Sequence, residues 1–262
     1  MVKPWVAVLC AAASLTMVFE ASADARIDPA TALQRQLVDG RGVKIAQLHI
    51  AEPGTWRTTG SVEFGKGKAV AADVVYRDSK AAPEARVISF PDRWYRREYP
   101  RDKSLPDGKT WFLFPAPPNG PMLDCGPIEL SHPATLKAVL RTATVKRPAG
   151  TYDKVRTTLY QGRITLGELY KANSAFRIPL DTKPAGKYAK IPVTWQIWLG
   201  KDQLVRRCRS SYAQPIIAPG LQIDERFPVT EDIRLSRWGT ETDIQPPPDD
   251  QVTSYDDVDA SE

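Results

Sequence analysis

Residues 191–199 read IPVTWQIWL, and this stretch decides the fold class. The alternate positions on one side are Val193, Trp195, Ile197 and Leu199. A two-residue period places these four side chains on the same face of a β-strand. Trp198 adds a large ring to the opposite face, so both faces need cover. One face could pack on helices while the other lines a cavity or meets a partner, or both could belong to an ordinary core.

The chain turns back after this strand. Residues 200–203 (GKDQ) have turn composition, and Leu204 to Arg209 continue as a second strand, so the sequence predicts a hairpin. Residues 110–114 (TWFLF) follow another turn and give a strong strand signal. The remaining predicted strands are 43–50, 58–64, 69–76, 85–90, 93–97, 152–160, 223–232 and 233–238.

Helical periodicity is clearest from Pro133 to Ala143. Pro133 suits the first helical turn, and Leu136, Val139 and Leu140 share one face at helical spacing. Shorter helices are predicted at residues 29–38 and 166–172. Nine or ten strands with two or three helices indicate an α+β fold, in which helices pack on one side of an antiparallel sheet.

The N-terminus has the pattern of a cleaved secretory signal. Lys3 precedes an apolar stretch from Trp5 to Phe19, and residues 21–25 (ASADA) supply small residues for cleavage. The stretch is shorter than the roughly 20 residues that span a bilayer, although an uncleaved membrane anchor is the alternative. Leu9 precedes Cys10 where a lipidation signal requires a small residue, so no lipid anchor is expected. The sequence therefore predicts an extracytoplasmic protein without its residues 1–25.

Two cysteines, Cys125 and Cys208, follow the predicted signal. Thiols tend to oxidise outside the cytoplasm, so one disulfide between them is the natural expectation. Two free buried thiols are the alternative. Cys125 lies in the Pro-rich segment 115–130, which reads as a long irregular loop.

The amino-acid composition is typical of a globular protein. Apolar residues make up 42% and charged residues 26% of the 262 positions, enough for a core. We expect one domain over residues 26–244 and an extended or disordered Pro/Asp-rich tail over residues 245–262.

The formal net charge of +5 could favour contact with anionic envelope polymers or lipid head groups, although a solvated surface explains it equally well. No nucleic-acid-binding motif is present, so no nucleic-acid partner is expected.

The sequence offers no convincing catalytic or metal-binding pattern. His49 and His132 lack zinc spacing, and no nucleophile elbow or phosphate-binding glycine loop occurs. Ser131 fits the neighbourhood of a helix N-cap. A Cys125–His132 pair is conceivable, but Cys208 is the better partner for the cysteine. Carboxylates on strands, such as Glu63, Asp73 and Glu98, are more typical of solvent-facing positions. We therefore expect a protein that is not an enzyme and has no cofactor or metal.

Seven segments, taken in order, resemble the LolA-like family of lipoprotein and glycolipid carriers from Gram-positive envelopes. They are residues 37–43 (LVDGRGV), 60–65 (GSVEFG), 105–111 (LPDGKTW), the helix 133–143, 160–166 (YQGRITL), the hairpin 195–209, and the end formed by 235–239 (LSRWG) and 243–248 (DIQPPP). Together they cover most of the chain after the signal. The resemblance implies a curved antiparallel sheet that forms an incomplete, half-open β-barrel, with helices on its concave side.

The resemblance also implies a cavity for acyl chains and no catalytic residues. The expected function is non-catalytic binding or carriage of a lipid, acyl chain or lipoprotein by a monomer in the cell envelope. The candidate cavity residues are Phe112, Phe114, Val193, Trp195, Ile197 and Leu199. A structural or protein-interaction module with a filled core is the alternative, and a hydrolase would need clustered polar side chains that the sequence does not reveal.

Overall fold

The computed structural model describes residues 27–52, 54–78, 84–97, 105–115, 123–173, 183–215 and 226–258. The predicted signal over residues 1–25 and Glu98 lie outside these ranges. The helices are α1 (Pro29–Gln34), α2 (Pro133–Arg141), α3 (Leu166–Ala172) and α4 (Gly186–Ala189), with 3-10 turns at Asp249–Gln251 and Tyr255–Asp257. The strands are β1 (Arg41–Ala51), β2 (Gly54–Gly65), β3 (Lys68–Asp78), β4 (Ala85–Ser89), β5 (Arg93–Arg97), β6 (Trp111–Pro115), β7 (Asp124–Cys125), β8 (Ile128–Glu129), β9 (Ala143–Tyr152), β10 (Val155–Thr165), β11 (Pro192–Gly200), β12 (Val205–Pro215), β13 (Arg226–Glu241) and β14 (Val252–Ser254).

Twelve of these strands form one large curved sheet. Its order is β14-β6-β5-β4-β3-β2-β1-β13-β12-β11-β10-β9, and β7 and β8 form a separate hairpin. The pairs in the large sheet are antiparallel except β14 with β6, which is parallel. The predicted α+β class with a large antiparallel sheet is confirmed. The first strand and the last long strand, β1 and β13, are neighbours at its centre.

The sheet has an inner face, which carries the helices, and an outer face. Leu136 and Val139 of α2 and Leu166 and Leu169 of α3 belong to the same buried cluster as the inner-face residues of the central strands. The helix α3 begins at Thr165 with a capping box: Glu168 donates its backbone N–H to the Thr165 hydroxyl, and its side chain accepts the Thr165 N–H. The apolar stripes of these short helices therefore fix them against the strands.

A disulfide joins the β7–β8 hairpin to the inner face of β12. Cys125 and Cys208 are bonded with their Cα atoms 6.1 Å apart, across 83 residues of sequence. The Ser210 hydroxyl also donates a 2.8 Å hydrogen bond to the Cys125 carbonyl. The predicted disulfide is confirmed, and the alternatives of free thiols or a Cys125–His132 pair are wrong. His132 instead caps α2 by accepting the Thr135 N–H at its Nδ1 atom.

Some elements differ from the sequence-based expectation. The strand β9 was not predicted, because residues 143–152 (ATVKRPAGTY) form an exposed edge strand in which polar residues and Pro148 hide the alternation. The predicted strands 223–232 and 233–238 form a single strand within the described residues, β13, which runs unbroken from Arg226. The irregular loop predicted at 115–130 contains the β7–β8 hairpin in its described part.

The segment after β13 crosses the outer face instead of leaving the domain. The backbone N–H of Ile244 donates to the Glu63 carboxylate at 2.7 Å. The Ile244 side chain packs on a second buried cluster formed by Ile88, Tyr95 and Trp111. The chain then adds β14 beside β6. We name residues 242–258 the C-terminal strap. The described part of the predicted tail, residues 245–258, lies against the sheet and adds β14 to it.

Within the described ranges, no helix combines the length and apolar character needed to cross a bilayer.

Candidate functional site

Polar side chains replace apolar ones at one end of the inner face. Along β1, Val43 and Ile45 are buried in the core, but the next inner-face positions are Gln47 and His49. The facing strand β13 likewise carries Glu231 two residues before the buried Ile233. Because strand side chains alternate, these polar groups point to the same side as the apolar core. The core therefore ends in a polar region at this end of the sheet.

Glu231 is the centre of that region. It is 6% exposed and lies directly opposite His49 in the β1–β13 pair. Gln47 donates to its Oε2 atom at 3.0 Å, and His49 Nδ1 contacts its Oε1 atom. Buried carboxylate oxygens are normally hydrogen-bonded, and both oxygens of Glu231 have such a contact.

The disulfide-bonded hairpin brings two more carboxylates to the region. Gly126 in the hairpin turn has φ of 61°, and a Cβ there would lie 3.1 Å from Cγ of Glu231. The turn therefore packs closely on β13, and Asp124 and Glu129 lie on either side of it. The Asn173 amide donates to Glu129 at 2.6 Å. We call Gln47, His49, Asp124, Glu129 and Glu231 the inner polar cluster.

Asp124 has the most perturbed carboxyl group of this cluster. Loss of hydration is the largest cause, and together with the negative charge of Glu231 it raises the pKa of Asp124 to about 7. The Gln47 amide and His49 act in the opposite direction. The pKa of His49 is raised, first by its hydrogen bond to Glu231, although partial burial opposes this. Near neutral pH the cluster can therefore both donate and accept protons.

Aromatic rings border the cluster. Trp56 on β2 lies opposite His49, with ring centroids 4.9 Å apart. Tyr212 on β12 lies close to Gly126, and burial is the first cause that raises the pKa of its hydroxyl. Tyr76 on β3 is 41% exposed although it lies on the inner face. The polar cluster therefore has aromatic neighbours on β2 and β12.

A second group of rings occupies the inner face at the far end of the sheet. Trp94 stacks on Phe114 at 4.1 Å, and Phe114 stacks on Tyr255 at 4.8 Å between centroids. Phe112 meets Tyr255 edge-on at 5.8 Å. Trp94, Phe114 and Tyr255 are only partly buried. We call these four residues the aromatic stack.

The predicted cavity residues fall into two separate places. Val193, Trp195, Ile197 and Leu199 on β11 are 0–2% exposed and belong to the packed core under the helices. Phe112 and Phe114 lie on β6, at the opposite end of the sheet order. Phe112 is 1% exposed, whereas Phe114 keeps a partly exposed ring. The structure therefore does not bring the six residues together, and their role in ligand binding stays a prediction.

The inner polar cluster was missed by sequence reasoning. In the sequence, His49 stands out only as a histidine without the spacing of a zinc ligand. Among the described residues, no group of three or more His, Cys, Asp or Glu is arranged to hold a metal ion. A usable signal was present in β1, where the apolar alternation Val43, Ile45 continues into Gln47 and His49 on the same face. The approach of Asp124 depends on the disulfide and could not be deduced from spacing.

No protein-family model matches this chain. A search of the curated proteins also found no match.

Proposed function

We propose that this chain is an exported, non-catalytic protein that binds a lipophilic molecule on the inner face of its sheet. The observation that carries the proposal is the aromatic stack, in which Trp94, Phe114 and Tyr255 keep partly exposed rings on the face that elsewhere forms the core. Partly exposed apolar rings on a concave face are typical of ligand sites. The finer architecture proposed with this function is a half-open barrel with the helices on its concave side.

The inner polar cluster gives the proposed site a polar end. Binding sites for amphiphiles combine an apolar wall with a few hydrogen-bonding groups that fix orientation. Asp124, whose pKa is raised to about 7, is protonated in part of the molecules near neutral pH and can then donate a hydrogen bond, while Glu231 and His49 can accept or share one. A ligand with an acyl chain and a polar head therefore suits the face better than a pure hydrocarbon. The ligand class includes lipids, acyl chains and the lipid part of a lipoprotein.

Export agrees with the buried disulfide, because such bonds persist in oxidising compartments. The proposal therefore keeps the chain outside the cytoplasm. That it acts there as a monomer without a lipid anchor is part of the same proposal.

A structural or protein-interaction module remains the second candidate. It is favoured by the close packing of Val193, Trp195, Ile197 and Leu199, which fill the space between β11 and the helices. In that case the aromatic stack would meet a protein partner rather than a lipid.

Native mass spectrometry of the exported, untagged protein, followed by lipid extraction, tests the proposal. We expect about one acyl-containing molecule per chain, and the Trp94→Ser/Phe114→Ser double variant should lose most of it. Tyr152→Ser is the matched control, because Tyr152 is a partly buried ring that packs on Trp198 of the outer face. If the native protein has the mass of the chain alone and takes up no added lipid, the proposal is overturned in favour of the interaction module.

A further inference from the structure

The outer face of β10–β13 contains a groove that the proposed function does not use. Its volume is about 560 Å³, within the range of pockets that hold small molecules. It lies on the side of the sheet opposite the disulfide and the helices. No residue of the inner polar cluster or of the aromatic stack lines it.

Hydroxyl and amide groups form the floor of this groove. The Gln196 amide donates to Gln161 Oε1 at 3.1 Å. The Thr194 hydroxyl donates to the Ser211 carbonyl at 3.1 Å, and Thr230 donates to the Ser211 hydroxyl at 3.3 Å. Gln196, Thr194 and Thr230 act as donors in these bonds, whereas Gln161 and Ser211 accept. The hydroxyl oxygens keep acceptor lone pairs, and the two amides and the Ser211 hydroxyl keep hydrogens that these bonds do not use. The floor can thus exchange hydrogen bonds with a polyhydroxylated molecule.

Two arginines at the groove carry uncompensated charge. Arg163 and Arg209 are exposed, and neither has an ion-pair partner among the described residues. Asp232 is the strand neighbour directly opposite Arg209, but its carboxylate is held by both nitrogens of the Arg207 guanidinium fork. Arg207 in turn is fixed between the rings of Tyr152 and Trp198. The groove therefore keeps a net positive charge.

We propose that this groove binds an acidic oligosaccharide, that is, a glycan carrying carboxylate or phosphate groups. Two free guanidinium groups match anionic substituents, while the row of hydroxyls and amides matches sugar hydroxyls. A nucleic acid fits less well, because the aromatic residue in the lining, Trp195, is 1% exposed and offers no ring for base stacking. A membrane surface fits less well because the described lining residues present no exposed apolar side chain for insertion.

Isothermal titration calorimetry on the full exported chain tests the site with three probes: tetragalacturonate, neutral maltotetraose and inorganic phosphate. Tetragalacturonate should bind at low salt, and about 300 mM salt should weaken it because exposed charges are screened. We expect maltotetraose to bind at least about 10-fold more weakly, since it lacks the carboxylates. The double variant Arg163→Gln/Arg209→Gln should bind tetragalacturonate about 10-fold more weakly than the native protein, because each guanidinium contributes a charge-assisted hydrogen bond.

The control variant is Arg57→Gln/Arg156→Gln, which removes the same charge from two exposed arginines outside the groove. It should change the affinity less than about 2-fold if binding is local rather than a general effect of net charge. Equal losses in the two double variants, or no binding of tetragalacturonate, would overturn the proposal. Phosphate that displaces tetragalacturonate with similar affinity would overturn the glycan class and leave a simple oxyanion site. Lipid content measured on the same variants is expected to stay unchanged, which separates this site from the inner face.

Discussion

His49 on β1 and Glu231 on β13 are in hydrogen-bonding contact although 182 residues separate them in sequence. The contact exists because β1 and β13 pair at the centre of the sheet and place the two residues directly opposite one another. Asp124 reaches the same place through the disulfide-bonded hairpin. Three titratable side chains from distant parts of the chain thereby share one partly enclosed region.

The first prediction concerns pH. The pKa of Asp124 is raised from 3.8 to about 7 in the folded protein, so between those values the folded state holds a proton that the unfolded chain releases. The contribution of Asp124 to the free energy of unfolding therefore falls as pH rises from 3.8 to about 7, by at most about 1.4 kcal/mol per pH unit. The pH dependence contributed by His49 has the same sign. Its pKa is raised in the folded protein, so it adds stability below pH 6.5 that is lost as pH rises through the folded pKa.

Urea unfolding at several pH values between 5 and 8 measures this slope. Asp124→Asn should flatten it and raise stability at pH 8 by about 1–3 kcal/mol, since an uncharged amide avoids repulsion from Glu231. An unchanged slope in Asp124→Asn would show that the carboxyl is not the group responsible.

The second prediction concerns the disulfide. Removing it with Cys125→Ser/Cys208→Ser should lower the free energy of unfolding by about 2–5 kcal/mol, because a long loop in the unfolded chain is no longer constrained. The loss should be accompanied by a smaller pH slope, since Asp124 is no longer held against Glu231. Unfolding of the oxidised and reduced native protein provides the comparison, and equal midpoints would contradict the expectation.

A third prediction tests the close approach of Gly162 on β10 to Thr142 and Trp195. A methyl group at Gly162 would lie 2.3 Å from the Thr142 carbonyl oxygen and 2.7 Å from the Trp195 ring. Gly162→Ala should therefore destabilise the protein by about 1–3 kcal/mol through overpacking. Gly150 on the edge strand β9 has no atom within 4 Å of the equivalent position, so Gly150→Ala should change little. Near-equal unfolding midpoints for the two variants would rule out the close approach.

The fourth prediction concerns the C-terminal strap. Ile244→Asp places a charge on the cluster of Ile88, Tyr95 and Trp111, so we expect a loss of about 2–4 kcal/mol and easier proteolysis of residues 242–258. Asp243→Asn, at an exposed position of the same segment, is the control. A silent Ile244→Asp variant would mean that the strap adds no stability to the sheet.

The sequence predicted elements where one physical signal dominated. The alternation at residues 191–199 predicted the strand β11, and the helical spacing of Leu136, Val139 and Leu140 predicted the helix α2. The pairing of the two cysteines that follow the predicted signal was likewise expected. The edge strand β9 was missed because an exposed edge needs no alternating pattern. The inner polar cluster was missed because its members meet only through the β1–β13 pairing and the disulfide, neither of which leaves a local pattern around Asp124.

The central position of β1 also determines the order in which the strands of the large sheet can pair during folding. Strands β1–β6 form one continuous meander and β9–β13 another, and the β1–β13 pair joins them. That seam cannot form until nearly the whole chain has emerged, and contacts of such large sequence separation are slow to form. A chain truncated before Arg226 would hold one meander whose β1 edge has no partner and is free to pair with another molecule. Strand β13 therefore protects β1 from self-association.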